Sequence, residues 1–140
     1  MNIALIIAGG SGNRMGQDIP KQFIHVNNCP IIVYTMLAFQ KHPDISAIAV
    51  VCLGGWETVL ASYAHQYNVT KLRWVFPGGA SGQESIRNGI YGLRNNDVKN
   101  NDLVLIHDAV RPLVSQSIIS SNIATCQHYG YAITAARKLF

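Results

Sequence analysis

Charge is scarce in this chain. Asp, Glu, Lys and Arg make up 13% of its 140 residues, against 49% hydrophobic residues. That balance excludes a disordered polyelectrolyte and fits an apolar globular domain. It also suggests surface covered by a partner or by further chain. The formal net charge is +4, yet no Lys/Arg-rich run is present, which argues against nucleic acid as a partner. A scattered excess of cations does favour anionic ligands. Cysteine is sparse: Cys29, Cys52 and Cys126 stand far apart, with no CxxC and no Cys/His pair at zinc spacing. Without a signal peptide, that usage points to the reducing cytoplasm. No apolar stretch reaches transmembrane length, so no membrane role is expected. Repeats and low-complexity linkers are absent, and the length suits one domain with a real core.

What is present alternates. Asn2–Ala8 is a short apolar run ended by glycines, read as a buried strand. A polar, Gly-rich loop follows to Pro20. Ile31–Gln40 reads as a helix with Pro30 at its start. Ile45–Leu53 is a second strand, apolar on both faces. Trp56–Tyr67 reads as a helix and Leu72–Phe76 as a third strand. Ser81 and Glu84 stand at capping-box spacing, which predicts a helix from there to about Leu93. Asp102–Ile106 is a fourth strand, residues 116–128 a helix, and Tyr131–Ala135 the start of another strand. Continuous apolar strands with helical crossovers predict a Rossmann-like three-layer α/β/α domain with a mostly parallel sheet. Ligands bind such sheets beyond the carboxyl ends of the strands. Residues 9–16, 77–82 and 107–112 all fall at such ends.

The first of these loops clusters Gly9, Gly10, Gly12 and Gly16 around Arg14. Glycine lets backbone N–H groups approach a ligand, and successive N–H groups cradle anions. The pattern is not a P-loop, since no Gly-Lys pair exists in the chain. Nor is it a dinucleotide fingerprint: Met15 occupies the place of the third glycine, and Pro20 interrupts the helix that should follow. Arg14 and Lys21 are either solvated cations or two charges converging on a phosphate chain, where they would stabilise a phosphoryl-type transition state. Asp108 ends an apolar strand, where a charge is costly unless paired. It is a cap or an ion-pair partner of Arg111, or a ligand for Mg²⁺ bridging nucleotide phosphates. His107 reads as structural, because no acid/base partner lies nearby in sequence.

Four motifs in register carry a resemblance. They are Ala8-Gly9-Gly10-Ser11-Gly12-Asn13-Arg14-Met15, Pro20-Lys21-Gln22, Gly78-Gly79 with Ser85-Ile86, and His107-Asp108-Ala109-Val110-Arg111-Pro112. Together they resemble the cytidylyltransferases of the 2-C-methyl-D-erythritol 4-phosphate and ribitol 5-phosphate type, across essentially the whole chain. The resemblance implies transfer of CMP from CTP to a polyol phosphate, giving a CDP-polyol and pyrophosphate. It implies Arg14 and Lys21 as catalytic cations and Asp108 as the Mg²⁺ ligand. It implies nucleotide contacts from Ala8, Gly9, Gly10, Ser11, Gly12, Asn13, Gly78, Gly79, Ser85 and Ala109. Val110 leans toward ribitol 5-phosphate; the methylerythritol phosphate is the alternative acceptor.

Two departures accompany the match. Gly82 stands about where the family usually carries an arginine. Residues 1–140 are also expected to be a nucleotide-binding domain lacking its C-terminal part. That part would supply the polyol-phosphate site, a further lysine and the arm of a homodimer. A nucleotide-binding module without turnover is therefore a competing reading, and an NAD-binding domain a weaker one.

Overall fold

A computed structural model of the chain describes residues 1–11 and 18–135. Its centre is a four-stranded parallel sheet, built from β1 (Asn2–Ala8), β4 (Ala47–Cys52), β5 (Leu72–Pro77) and β6 (Leu103–Asp108), in the order β5-β4-β1-β6. Apart from Asn2 at its start, both inner strands are apolar, because both of their faces are covered. Ile3, Leu5 and Ile6 of β1 and every residue of β4 are completely buried. Each large side chain so buried contributes about 1.5–3 kcal/mol.

Helices cover both faces. On one side α1 (Ile31–Gln40), α2 (Glu57–Gln66) and α4 (Gln116–Tyr129) enclose Ala4, Ile6, Ile48 and Val50. On the other, α3 (Gly82–Arg94) covers Ile3, Leu5, Ala49 and Val51, with Leu93 as its inward anchor. This is the three-layer arrangement predicted from the alternation. Helix α1 has the predicted bounds, and Pro30 precedes it with φ −59°, close to the helical value. At α3 the Ser81 hydroxyl accepts from the Glu84 N–H at 3.2 Å, as predicted. The Glu84 carboxylate reaches one residue further back than a capping box requires, accepting from the Ala80 N–H at 3.0 Å.

Three features depart from the sequence reading. Strand β6 starts one residue later and ends two residues later, because Ile6 and Ile7 of β1 pair with His107 and Asp108. Between the loop and α1 lie a 3₁₀ turn (Lys21–Phe23) and a small hairpin, β2 (His25–Val26) and β3 (Cys29–Pro30). The hairpin turns at Asn27 and Asn28, with φ of 51° and 60°, the left-handed pair a two-residue turn needs. The strand expected from Tyr131 to Ala135 is absent. A strand exists only against a neighbour, and none lies alongside this stretch among the described residues; Ile133 is 84% exposed.

Candidate functional site

All four sheet strands are parallel, so Ala8, Cys52, Pro77 and Asp108 end on the same edge. The loops predicted to carry the chemistry therefore emerge side by side. Gly9 and Gly78 meet backbone to backbone. A Cβ on Gly78 would lie 3.0 Å from the Gly9 Cα and 3.2 Å from the Cys52 carbonyl oxygen, and one on Gly9 would lie 2.8 Å from the Ser85 Oγ. These two glycines are required by packing before any ligand is considered. The Gly78 N–H donates to the Cys52 carbonyl at 2.9 Å, which locks the second loop to β4. Buried Ser85 completes the junction: its Oγ accepts from the Gly79 N–H at 3.0 Å.

Gly10 differs. It is exposed, and a Cβ there would meet nothing within 4 Å. Among the described residues, packing gives no reason for its being glycine, whereas close approach of a ligand does. Ser11 beside it is also exposed. Gln22 holds this loop in place: its side-chain amide donates to the Ala8 carbonyl at 2.8 Å and the Gly10 carbonyl at 3.0 Å. Gln22 is almost fully buried, while Lys21 next to it is exposed. The 3₁₀ turn thus sends one side chain into the loop's underside and leaves the lysine at the surface. Sequence reasoning placed Gln22 in a motif and gave it no role. Only the fold, which brings residue 22 beneath residue 10, shows what it does.

On the far side, Asp108 is 49% exposed. The cost of a buried charge invoked for it is therefore small, because β6 is an edge strand. Its Oδ1 accepts from the Val110 N–H at 3.0 Å, and its Oδ2 lies 3.8 Å from the Arg111 Nε. Both the turn cap and the ion pair are present. His107 donates through Nε2 to the Arg111 carbonyl at 2.9 Å and packs edge-on against Phe39, the structural role expected of it. Ala109 is buried. Its N–H donates to the Ile7 carbonyl at 3.0 Å, and its carbonyl accepts from Thr35 Oγ1 at 2.7 Å. Its backbone groups are thus engaged within the fold. Gly12, Asn13 and Arg14 lie outside the described residues. Burial, with a smaller contribution from the Glu57 carboxylate, pushes the Cys52 thiol up to about 11. The cysteine at the end of β4 is therefore no nucleophile at neutral pH.

A Mg²⁺ ion needs oxygen ligands, and in nucleotide sites one or two carboxylates suffice beside the phosphates. No cluster of three or more acidic, His or Cys side chains occurs among the described residues. Asp108 alone, half-exposed at a strand end, fits an ion carried in by a nucleotide and not one caged by protein.

Residues 2–137 match the sequence model of the IspD family, 2-C-methyl-D-erythritol 4-phosphate cytidylyltransferase. The chain belongs to the IspD family. A relative from Lacticaseibacillus paracasei, a ribitol-5-phosphate cytidylyltransferase, is 44% identical over 135 residues, covering 96% of this chain and 57% of that protein. A 2-C-methyl-D-erythritol 4-phosphate cytidylyltransferase from Clostridium botulinum is 38% identical, covering 94% of this chain and 56% of its own length. Among solved structures, a 4-diphosphocytidyl-2C-methyl-D-erythritol synthase superposes with TM-score 0.75 at 23% identity, covering 91% of this chain and 55% of the other. The cytidylyltransferase of Francisella tularensis superposes with TM-score 0.68 at 29% identity, covering 91% and 52%. This IspD-family chain thus spans little more than half the length of the relatives it matches.

Proposed function

We propose that residues 1–140 form the nucleotide-binding part of a CTP-dependent cytidylyltransferase whose acceptor is ribitol 5-phosphate. The observation that carries this is the junction of the two glycine loops at the carboxyl edge of the sheet. It leaves Gly10 and Ser11 open, with Lys21 beside them. The exposed backbone after β1 receives the triphosphate. Gly78, Gly79 and Ser85 shape the wall against the base, their own conformation held by hydrogen bonds within the fold. The acceptor phosphate attacks the α-phosphorus of CTP; the new P–O bond forms as the bond to pyrophosphate breaks. Arg14 and Lys21 stabilise the negative charge gathered there and on the departing pyrophosphate. Asp108 would hold Mg²⁺ with the nucleotide phosphates, supplying charge neutralisation. A phosphate is already a nucleophile, so no acid/base triad is needed.

The acceptor assignment rests on relatives named for ribitol 5-phosphate at 44% identity, against 38% for one named for the methylerythritol phosphate, and on Val110. The family's own name supports the methylerythritol phosphate as the second reading. The test is pyrophosphate release from CTP and Mg²⁺ with each polyol phosphate in turn, alongside calorimetric CTP binding. CTP binding that weakens about tenfold or more in Lys21→Ala is expected, roughly 1.4 kcal/mol. No CTP binding, or binding indifferent to Lys21, would reject the reading. Binding without pyrophosphate release would identify a nucleotide-binding module.

A further inference from the structure

Trp56 stands at the N-cap of α2, with φ −109° and ψ 2°. Helices favour Ser, Thr, Asp or Asn there, because a short polar side chain can accept from the first free N–H groups. The Trp56 side chain makes no such bond. Helix capping therefore gives no reason for a tryptophan at this position. Its ring instead stacks on Phe23, with centroids 4.7 Å apart and planes at 22°. Phe23 is almost fully buried and ends the 3₁₀ turn that begins at Lys21. The three side chains of that turn go separate ways. Gln22 holds the Ala8 and Gly10 carbonyls, Phe23 meets Trp56, and Lys21 is exposed. The backbone of the turn is closed by the Phe23 N–H, which donates to the Pro20 carbonyl at 2.9 Å. Fixing Phe23 therefore fixes the Cα of Lys21. Trp56 is itself held. Gly55 turns the chain with φ 88°, and its N–H donates to the Glu57 carboxylate at 2.8 Å. The Trp56 N–H donates to the Leu53 carbonyl at 3.1 Å. The Leu53 N–H donates at 3.1 Å to the Ala8 carbonyl, the oxygen that Gln22 also holds. The loop after β4 and the lysine turn thus share an anchor at the end of β1.

We propose that Trp56 is a positioning residue for Lys21: stacked on Phe23, it sets where the lysine ammonium meets the nucleotide phosphates. Lysine is a point charge on a flexible four-carbon stem. The place of its Cα decides which of its conformers reach a phosphate. A site whose supporting residues are loose by about 1 Å loses function, and the stack supplies that support from α2, an element that carries none of the residues assigned to the site. The proposal rests on the nucleotide reading of the site.

The test is a double-mutant cycle. CTP binding in Mg²⁺ is measured by calorimetry for the unaltered chain, Trp56→Leu, Lys21→Ala and the double variant. Trp56→Leu keeps apolar bulk and removes the stack. It should weaken binding about fivefold or more alone, and less than about twofold when Lys21 is already alanine, because its effect passes through the lysine. Trp56→Phe, which can still stack, should restore affinity to within about twofold. Ile123→Ala is the control for lost stability. It lies in the wall of a cleft of about 570 Å³ beside β6, and should lower the melting temperature while leaving CTP affinity unmoved. Amide exchange gives a readout that needs no ligand: the Phe23 amide should exchange at least tenfold faster in Trp56→Leu than in Ile123→Ala. Phe23→Leu removes the same stack and replaces Trp56→Leu if that variant does not fold. An equal loss of affinity with and without Lys21, no loss at all, or unchanged Phe23 exchange would overturn the proposal alone. A chain that ignores CTP, or binds it indifferently to Lys21, would overturn the nucleotide reading and the proposal together.

Discussion

The two sides of the sheet's carboxyl edge are built differently. Around β1 and β5 the loops close on one another: Gly9 against Gly78, Ser85 beneath Gly79, Gln22 beneath Gly10. Around β6 the carboxylate of Asp108 is half-exposed, Leu113 is 93% exposed, and the strand edge has no partner among the described residues. The first side is finished by the chain's own residues, with glycine wherever a methyl group would strike a neighbour. The second presents charge and apolar surface without covering them. The proposed nucleotide wall is therefore closed by the fold itself, and the proposed metal-holding side is not.

Substitutions can break this contrast. The largest effect is expected at Gly78→Ala, whose methyl would press on two backbone groups, the Gly9 Cα and the Cys52 carbonyl. Overpacking of this kind costs about 1–3 kcal/mol; a urea melt unchanged by the substitution would refute the closed junction. Ser85→Ala comes next. It removes the acceptor of the Gly79 N–H and should cost about 1 kcal/mol, with CTP affinity falling in parallel. Gly10→Ala sharpens the contrast, because its methyl meets none of the described residues within 4 Å. Stability should stay within about 0.5 kcal/mol while CTP affinity drops, measured by melts and calorimetry on the same sample. The smallest effect is expected on the β6 side, at Asp102. Its hydrogen bond to the amino terminus, and next the Lys99 N–H, hold its carboxyl below the usual carboxylate range. A lowered folded-state value means that the stabilisation is full above the ordinary Asp range and lost as pH falls through the folded value. The small deficit of Asp102→Asn near pH 7 should therefore shrink in melts repeated in strong acid.

Much of this was legible in the sequence where local chemistry decided the outcome. The bounds of β1 and α1 follow from an apolar run stopped by glycines and from Pro30. The start of α3 follows from Ser81 and Glu84. The hairpin at Asn27-Asn28 was not read, because two-residue strands have no periodicity to detect. The strand at Tyr131–Ala135 was read from its composition, yet strand formation depends on a neighbour that composition cannot supply. Of the site, the glycine clusters and their place at strand ends were legible. Which glycines serve packing and which leave room was not, since Gly9 meets a residue 69 positions away and Gly10 meets none of the described residues. Gln22 was hidden for the same reason. The open setting of Asp108 depends on β6 being an edge, a fact of topology.

Backbone amide shifts followed by NMR during a titration with CTP and Mg²⁺ test the central claim most directly. Perturbations gathered at Gly10, Ser11, Lys21, Gly79, Ala80 and Asp108, and absent when NADH replaces CTP, are the predicted result. Shifts confined to the cleft beside β6, or no saturable shifts at all, would contradict it.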